Sequence, residues 1–383
     1  MKIRIDAKVF EELVSTAVQA LPSKAVKPEQ ECVYLEITND SGSPIMTALA
    51  KGDGMMIKKA TDDVVSEEDG EALIPAKTLL AFLKLMEGEV RLEVDDNLKA
   101  TLKCGGKRSA ISCMGIEDFD PRFFDFGAED AHMAQTSGIH FASCVNSVLH
   151  CIGVDQGRLV LTGIHFAFDA ERGICESVGL DGFRMAIVRK PAETNESFNV
   201  LIPATSAKLI AKIVGDSENV SFRFGHGLVI VEDFTTAIQA SLLSGEYINY
   251  QNLLVESGKM EAKFNMTDFE EALKLAMVSA ADSGEKKLVI IRFDPDSGVS
   301  KVSARSETSE ADASIPCDMV GEMDDGANEI AFNGQYLLDA IKAGRAYGEE
   351  TKLMINKAIS PMAITPMNRD DYYQLVLPVR RLG

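Results

Sequence analysis

The chain has 383 residues, 46% of them hydrophobic, with 39 Lys and Arg set against 59 Asp and Glu for a formal charge of −20. That length exceeds one ordinary core and predicts two or three domains. The acid excess weighs against a nucleic-acid partner, since phosphate contacts need positive charge, unless the cations are gathered on one surface. No apolar run reaches membrane-spanning length, and the opening MKIRIDAKVF holds no apolar signal core. Seven cysteines without a C-x-x-C pair point to a reducing cytoplasm rather than a disulfide framework.

In chain order, the first third opens with a helix over DAKVFEELVSTAVQAL. Val9, Phe10, Leu13, Val14, Ala17 and Leu21 follow the helical period there, and Asp6 stands at the N-cap. Strands are predicted at CVYLEIT and GMMIKKA, a second helix in LIPAKTLLAFLKLM from Leu73, and closing strands in VRLEVDDNLKATLKCGGKRSAISCM, with a turn at Asp95-Asp96-Asn97. The second third repeats the plan. A helix over IHFASCVNSVLHCIG carries Phe141, Val145, Val148, Leu149 and Ile152. Strands at LVLTGIHFAFDA and GFRMAIVRK follow, then a helix in LIPATSAKLIAKIV from Leu201 and strands around Gly225-His226-Gly227. The last third begins with TDFEEALKLAMVSA, where Phe269, Leu273, Ala276 and Met277 sit behind Thr267 and Glu270 at capping-box spacing. Strands KLVIIRFD and SKVSARS, a helix in AFNGQYLLDAIKAG from Ala331, and strands in TKLMINKAISPMAITPM complete it.

Polar linkers fall at FGAEDAHMAQTSG and VESGKMEA. The expected fold class is α+β, three repeated domains each with two helices packed on antiparallel sheet, at 1–128, 137–255 and 260–383. Three divergent copies suit a curved periodic body; a tandem array is equally allowed.

The second helices share a charge bias. Lys77 and Lys84, Lys208 and Lys212, and Lys342 and Arg345 fall on helical faces, with Asp339 as the sole acid across the three. One reading is a basic stripe facing phosphates; the other is ordinary solvated lysines. No Arg, Asn, Gln or aromatic cluster accompanies the stripe for base-edge readout, so such binding would be sequence-blind. An enzyme reading fares worse. Cys144, His150 and Cys151, with His140 and His165 not far off, fit core packing better than metal or thiol chemistry. No phosphate loop, dinucleotide fingerprint or H-E-x-x-H is present. Catalytic residues, metal and cofactor are expected to be none. The competing reading is an acidic three-repeat protein-interaction scaffold.

Three repeats, GLDGFRMAIVRKP followed by LIPATSAKLIAKIV, the segment SGEYINYQNLLV and the tail YYQLVLPVRRLG resemble the bacterial DNA polymerase III beta subunit family, the sliding clamps, over essentially the whole chain. The resemblance implies a DNA clamp fold closing head to tail as a homodimer ring around double-stranded DNA. It further implies a non-catalytic processivity role in the cytoplasm. The partners it implies are the replicative DNA polymerase alpha subunit, the clamp loader and other proteins bearing clamp-binding motifs. A hydrophobic peptide pocket between the second and third domains would be walled by Leu180, Gly182, Phe183, Arg184, Met185, Ile248, Leu253, Pro361, Met362, Leu375, Val376 and Leu377, with Asn333 and Tyr336 nearby. Dimer contacts would involve Lys103, Lys107, Arg108, Ser109, Ile111, Met277 and Val278, and DNA contacts Lys24, Lys27 and Arg158 besides the helical cations. Departures are Phe183 where many relatives have His, Leu180 for a small polar residue, and Ser109 for Phe. Leu159 and Val160 stand beside tyrosine positions of some relatives, and Leu382 and Gly383 extend the tail.

Overall fold

A computed structural model describes residues 1–39, 42–117, 119–124, 131–280 and 287–380. The expected boundary at 128 and the tail residues Leu382 and Gly383 lie outside them. One order of elements occurs three times: a strand, a helix, five strands, a helix, three strands. The first copy is β1 (Lys2–Asp6), α1 (Ala7–Ala17), β2 (Cys32–Thr38), β3 (Ile45–Gly52), β4 (Met55–Thr61), β5 (Val65–Glu68), β6 (Gly70–Pro75), α2 (Ala76–Leu83), β7 (Glu89–Val94), β8 (Lys99–Cys104) and β9 (Lys107–Ser112). The second is β10 (His132–Thr136), α3 (Gly138–Asn146), β11 (Gly163–Asp169), β12 (Ile174–Leu180), β13 (Arg184–Pro191), β14 (Glu193–Thr194), β15 (Phe198–Pro203), α4 (Ala204–Val214), β16 (Val220–Gly225), β17 (Leu228–Glu232) and β18 (Thr236–Ser241). The third is β19 (Met260–Asn265), α5 (Met266–Ala280), β20 (Leu288–Asp294), β21 (Val299–Arg305), β22 (Glu310–Pro316), β23 (Asp318–Gly321), β24 (Glu329–Asn333), α6 (Gly334–Gly344), β25 (Glu350–Ile355), β26 (Met362–Pro366) and β27 (Tyr372–Val376).

Pairing repeats as faithfully as order. In each copy the first strand lies between the fifth and seventh, the seventh, eighth and ninth form a meander, and the second lies between the third and sixth. Every pairing is antiparallel, as the alternating sequence pattern requires. Copies are then stitched by one pairing: the fourth strand of the first copy to the ninth of the second (Ile57 opposite Ile238), and the fourth of the second to the ninth of the third (Met185 opposite Leu375). Two nine-stranded sheets result, β14-β10-β16-β17-β18-β4-β3-β2-β6 and β15-β11-β12-β13-β27-β26-β25-β19-β23. The ninth strand of the first copy and the fourth of the third, β9 and β22, remain edges of a five-stranded and a four-stranded sheet.

By compactness the chain forms two units. One comprises Met1–Ala142, Glu193–Glu196 and Thr205–Leu242; the other comprises Ser143–Ala192, Ser197–Ala204 and Leu243–Gly383. In the first, Asp6 caps α1 by accepting from the Lys8 amide at 2.9 Å, and Phe10, Leu13, Val14 and Ala17 bury the predicted stripe. Each large apolar side chain so buried contributes about 1.5–3 kcal/mol. Gly138 opens α3 where a Cβ would meet the Val214 carbonyl at 1.8 Å, so only glycine permits that approach.

In the second unit, α5 packs over β20, β21 and β22 and α6 beside β24, β26 and β27, on a core that includes Phe264, Phe269, Phe293 and Phe332. The expected capping box is not formed. Asn265 takes that role, accepting from the Thr267 and Asp268 amides at 2.9 and 3.3 Å. Glu270 is instead buried in ion pairs with Lys274 and Arg345. The predicted strand at LVLTGIHFAFDA starts only at Gly163; Gln156–Thr162 is 3-10 helix, started by Asp155 accepting from the Gly157 amide. Among the described residues no helix is long and apolar enough to cross a membrane.

Candidate functional site

The second unit carries an apolar cluster beside the seam where β13 pairs with β27. It comprises Leu161, Val178, Leu180, Met185, Ile187, Tyr250 and Leu375, with Val160, Tyr247, Leu254 and Leu377 packed around it. The β12–β13 hairpin beside it turns at Asp181-Gly182, a turn signal in the sequence. Gly182 adopts φ +91°, and the Asp181 carboxylate accepts from the amides of Phe183 and Arg184 at 2.8 and 2.9 Å. The turn therefore fixes two neighbours. Phe183 is 58% exposed, its ring 6.2 Å from that of Tyr336. Arg184 lies over the Tyr336 ring at 4.3 Å and donates to Asp181 at 3.0 Å and Asp339 at 2.7 Å. Burial pulls the Arg184 pKa down, and the bonds to Asp339 and Asp181, with the nearby Cys151 thiol, outweigh it and raise it. Gln335 donates to the other Asp339 oxygen at 2.8 Å, so this network is closed on itself.

Of the residues expected from sequence, Leu180, Met185 and Leu375 are buried in this cluster and Leu377 borders it. Phe183, Ile248 and Leu253 are exposed apolar residues. The Leu377 amide donates to the Phe183 carbonyl at 2.9 Å, tying the tail to the hairpin. Asn333 caps α6 through the Gln335 amide, and Tyr336 packs on the neighbouring core. Met362 and Val376 are register partners buried in that same core, beside half-buried Pro361. They belong to that core and not to the cluster that holds Met185. Leu161, Tyr247 and Tyr250 in this cluster, and Asp181 and Asp339 beside it, were not among the residues expected from sequence. Aromatics recurring in SGEYINY were the available signal for the tyrosines, as Asp-Gly was for Asp181.

The side chains weighed above for thiol or metal chemistry pack into the fold. Cys144 and Cys151 are buried, and burial pushes the Cys151 thiol well up. His150 bonds Gln374 at 2.9 Å, and burial, then Arg184, lowers it to about 4. His165 is stacked on Tyr247 at 4.8 Å, and burial lowers it to about 4 too. Among the described residues no group of three His, Cys, Asp or Glu could hold a metal.

The helical cations Lys77, Lys84, Lys208, Lys212 and Lys342 are all exposed, as are Lys24 and Lys27 in the loop after α1. Lys212 donates to Gln19 at 2.9 Å. Arg345 differs: it pairs with Glu270 at 2.7 Å, and the Lys274 and Arg345 bonds hold that carboxyl below its ordinary range. Arg158 is exposed beside the β12–β13 turn; a Cβ built on Gly182 would lie 3.9 Å from its Nη1. On the edge strand β9, Lys107 and Arg108 are exposed, Ser109 is half-buried and Ile111 is buried. Lys103 is exposed on β8, and Lys107 donates to the Leu85 carbonyl. Val278 on α5 is 70% exposed, with Met277 packed against the core.

Residues 136–249 match the family model for the DNA polymerase III beta subunit, central domain, and residues 251–380 match that for its C-terminal domain, together well over half of the chain. The Beta sliding clamp of Staphylococcus aureus is 23% identical over 325 residues, 83% of this chain and 82% of that protein. Among solved structures, the DNA polymerase sliding clamp from Bacillus subtilis superposes with a TM-score of 0.89 at 20% identity, covering 100% of this chain and 99% of that one. The beta subunit from the DNA polymerase of Streptococcus pyogenes gives 0.90 at 18%, covering all of both chains. The threefold element order, the antiparallel seams and these matches agree: the chain belongs to the DNA polymerase III beta subunit family and is a non-catalytic DNA sliding clamp.

Proposed function

We propose that two copies of this chain close head to tail into a cytoplasmic ring around duplex DNA and tether client proteins through the pocket beside β13 and β27. One observation carries the ring: the pairing that stitches each copy to the next occurs twice and is missing once. The strands left over, β9 and β22, are the types that pair elsewhere. A second chain supplies the missing partner by antiparallel strand addition. Charge favours it, since β9 exposes Lys107 and Arg108 where β22 exposes Glu310 and Asp312, whose present partners Arg305 and Lys301 are themselves exposed. Lys103, Ser109, Ile111, Met277 and Val278 complete this interface. Three domains at 1–128, 137–255 and 260–383 follow the same repetition.

Lys24, Lys27, Lys77, Lys84, Lys208, Lys212 and Lys342 hold the duplex through phosphates. Arg345 contributes less, because Glu270 already neutralises it. Contacts of this kind are weak, salt-sensitive and blind to sequence, which suits travel along DNA. The pocket floor takes apolar anchors of an extended peptide from the replicative polymerase alpha subunit, the clamp loader or other clients. Native mass measurement tests the ring: the account expects the mass of two chains, and a persistent monomer at micromolar concentration contradicts it.

A further inference from the structure

Phe166 and Phe168 are buried on one face of β11, so His165, Ala167 and Asp169 share the other. An open polar cavity of about 570 Å³ lies over that second face. Register places Asn199, Ala167, Glu176 and Arg189 side by side across β15, β11, β12 and β13. Ala167 is the smallest of the four, so the row dips there, and Tyr250, Gln251 and Glu256 from the chain after β18 line the same hollow. Glu176 and Arg189 are already engaged. Glu176 accepts from the Tyr250 hydroxyl and pairs with Arg189 at 2.6 Å, and Arg189 donates to the Asp370 carbonyl at 3.0 Å. His165 is not. It is 8% exposed and stacked on Tyr247, and it lines the hollow with its Nδ1 lacking any hydrogen-bond partner. A buried polar atom in that state is costly, and a bound group that meets it restores the bond.

Charge decides what that group is. The carboxylates of Asp169, Glu176 and Glu256 outnumber the guanidiniums of Arg172 and Arg189 around the hollow, within a body of net charge −20. Burial keeps the His165 ring neutral at physiological pH, so it adds no positive charge. We propose that this hollow binds a small organic cation, a guanidinium or primary ammonium on a short apolar stem, carried by a free amine or by a Lys or Arg side chain. Glu256 supplies countercharge at the rim. So does Asp169, whose Oδ1 alone is taken, by the Glu171 and Arg172 amides at 3.0 Å. Asn199 and Gln251, exposed and unpaired among the described residues, accept the remaining N–H groups, and the stem lies over Ala167 and Ile174. Arg172 is exposed and forms no ion pair among the described residues, so it alone opposes the ligand. Its removal therefore separates a cation site from an anion site.

Ligand-observed NMR on the intact protein at low salt tests this with agmatine, the neutral N-butylurea and the anion glutarate. Agmatine is expected to saturate with a Kd of about 1 mM, and the other two to bind at least tenfold more weakly. Ala167→Leu, which fills the hollow from outside the core, should weaken agmatine at least fivefold, whereas Arg172→Ala should tighten it roughly threefold. Should Ala167→Leu fail to fold, Asn199→Leu on the same row closes the hollow from the exposed edge strand. Capped arginine binding more tightly than agmatine would assign the site to a partner's side chain, and the reverse order to a free amine. Agmatine affinity unchanged by filling the hollow would mean diffuse condensation on an acidic surface and would overturn the proposal. Preferred binding of glutarate, lost in Arg172→Ala, would overturn it as well.

Discussion

At the residue scale, Met185 and His165 say most about the apolar cluster proposed as the client site. Met185 is buried opposite Leu375 across the seam, touching the floor yet flexible enough to repack around different anchors. Met185→Asp places a carboxylate in that floor. It should weaken a Leu-Phe peptide at least a hundredfold, about 3 kcal/mol, by anisotropy; unaltered affinity with an intact fold would put clients elsewhere. His165 is a stability element. Its folded pKa of about 4 lies below the ordinary 6.5 because burial disfavours the charged ring. The unfolded chain therefore binds more protons between those values, so stability is present above pH 6.5 and is lost as pH falls toward 4, by about 3 kcal/mol at the full shift. His165→Phe keeps the ring against Tyr247 and removes the proton. Urea unfolding from pH 7 to 4 should show a shallower loss in that variant, and an identical profile would contradict this.

At the element scale, the two helices and the alternation of each copy were legible because burial writes period 3.6 on α1 and period 2 on β8, β16 and β20. The capping box at Thr267 was misread because Asn265, two residues earlier, competes for the same amides. The stretch before Gly163 was misread because Leu159, Val160 and Leu161 are apolar but coil as 3-10 helix, a distinction that short apolar runs do not encode. Of the residues carried over from the family resemblance, Leu180, Met185, Leu375 and Leu377 share one apolar cluster with Leu161 and Tyr247, whereas Met362 and Val376 pack in the neighbouring core. The stitching of copies was not legible at all: which strand follows which in a sheet depends on non-local pairing. That pairing exposes β9, and Arg108→Glu tests its role. Facing an acidic β22, the reversal should raise the dimer dissociation constant about tenfold, some 1.4 kcal/mol, without changing the melting temperature of the chain. Sedimentation equilibrium giving an unchanged constant would remove β9 from the interface.

At the scale of the molecule, the problem is how an acidic protein serves DNA. A freely accessible surface of charge −20 should repel the duplex, and affinity through a handful of lysines would be lost at physiological salt. Enclosure removes the dependence on affinity: a closed ring stays on DNA that has no end, however weak each contact is. Salt should therefore change diffusion along the duplex more than residence on it. The most direct measurement loads the protein onto nicked circular DNA, removes free protein by gel filtration, and follows retention before and after the circle is cut once. The account predicts retention on the circle and rapid loss from the linear form. Equal loss from both would contradict encirclement.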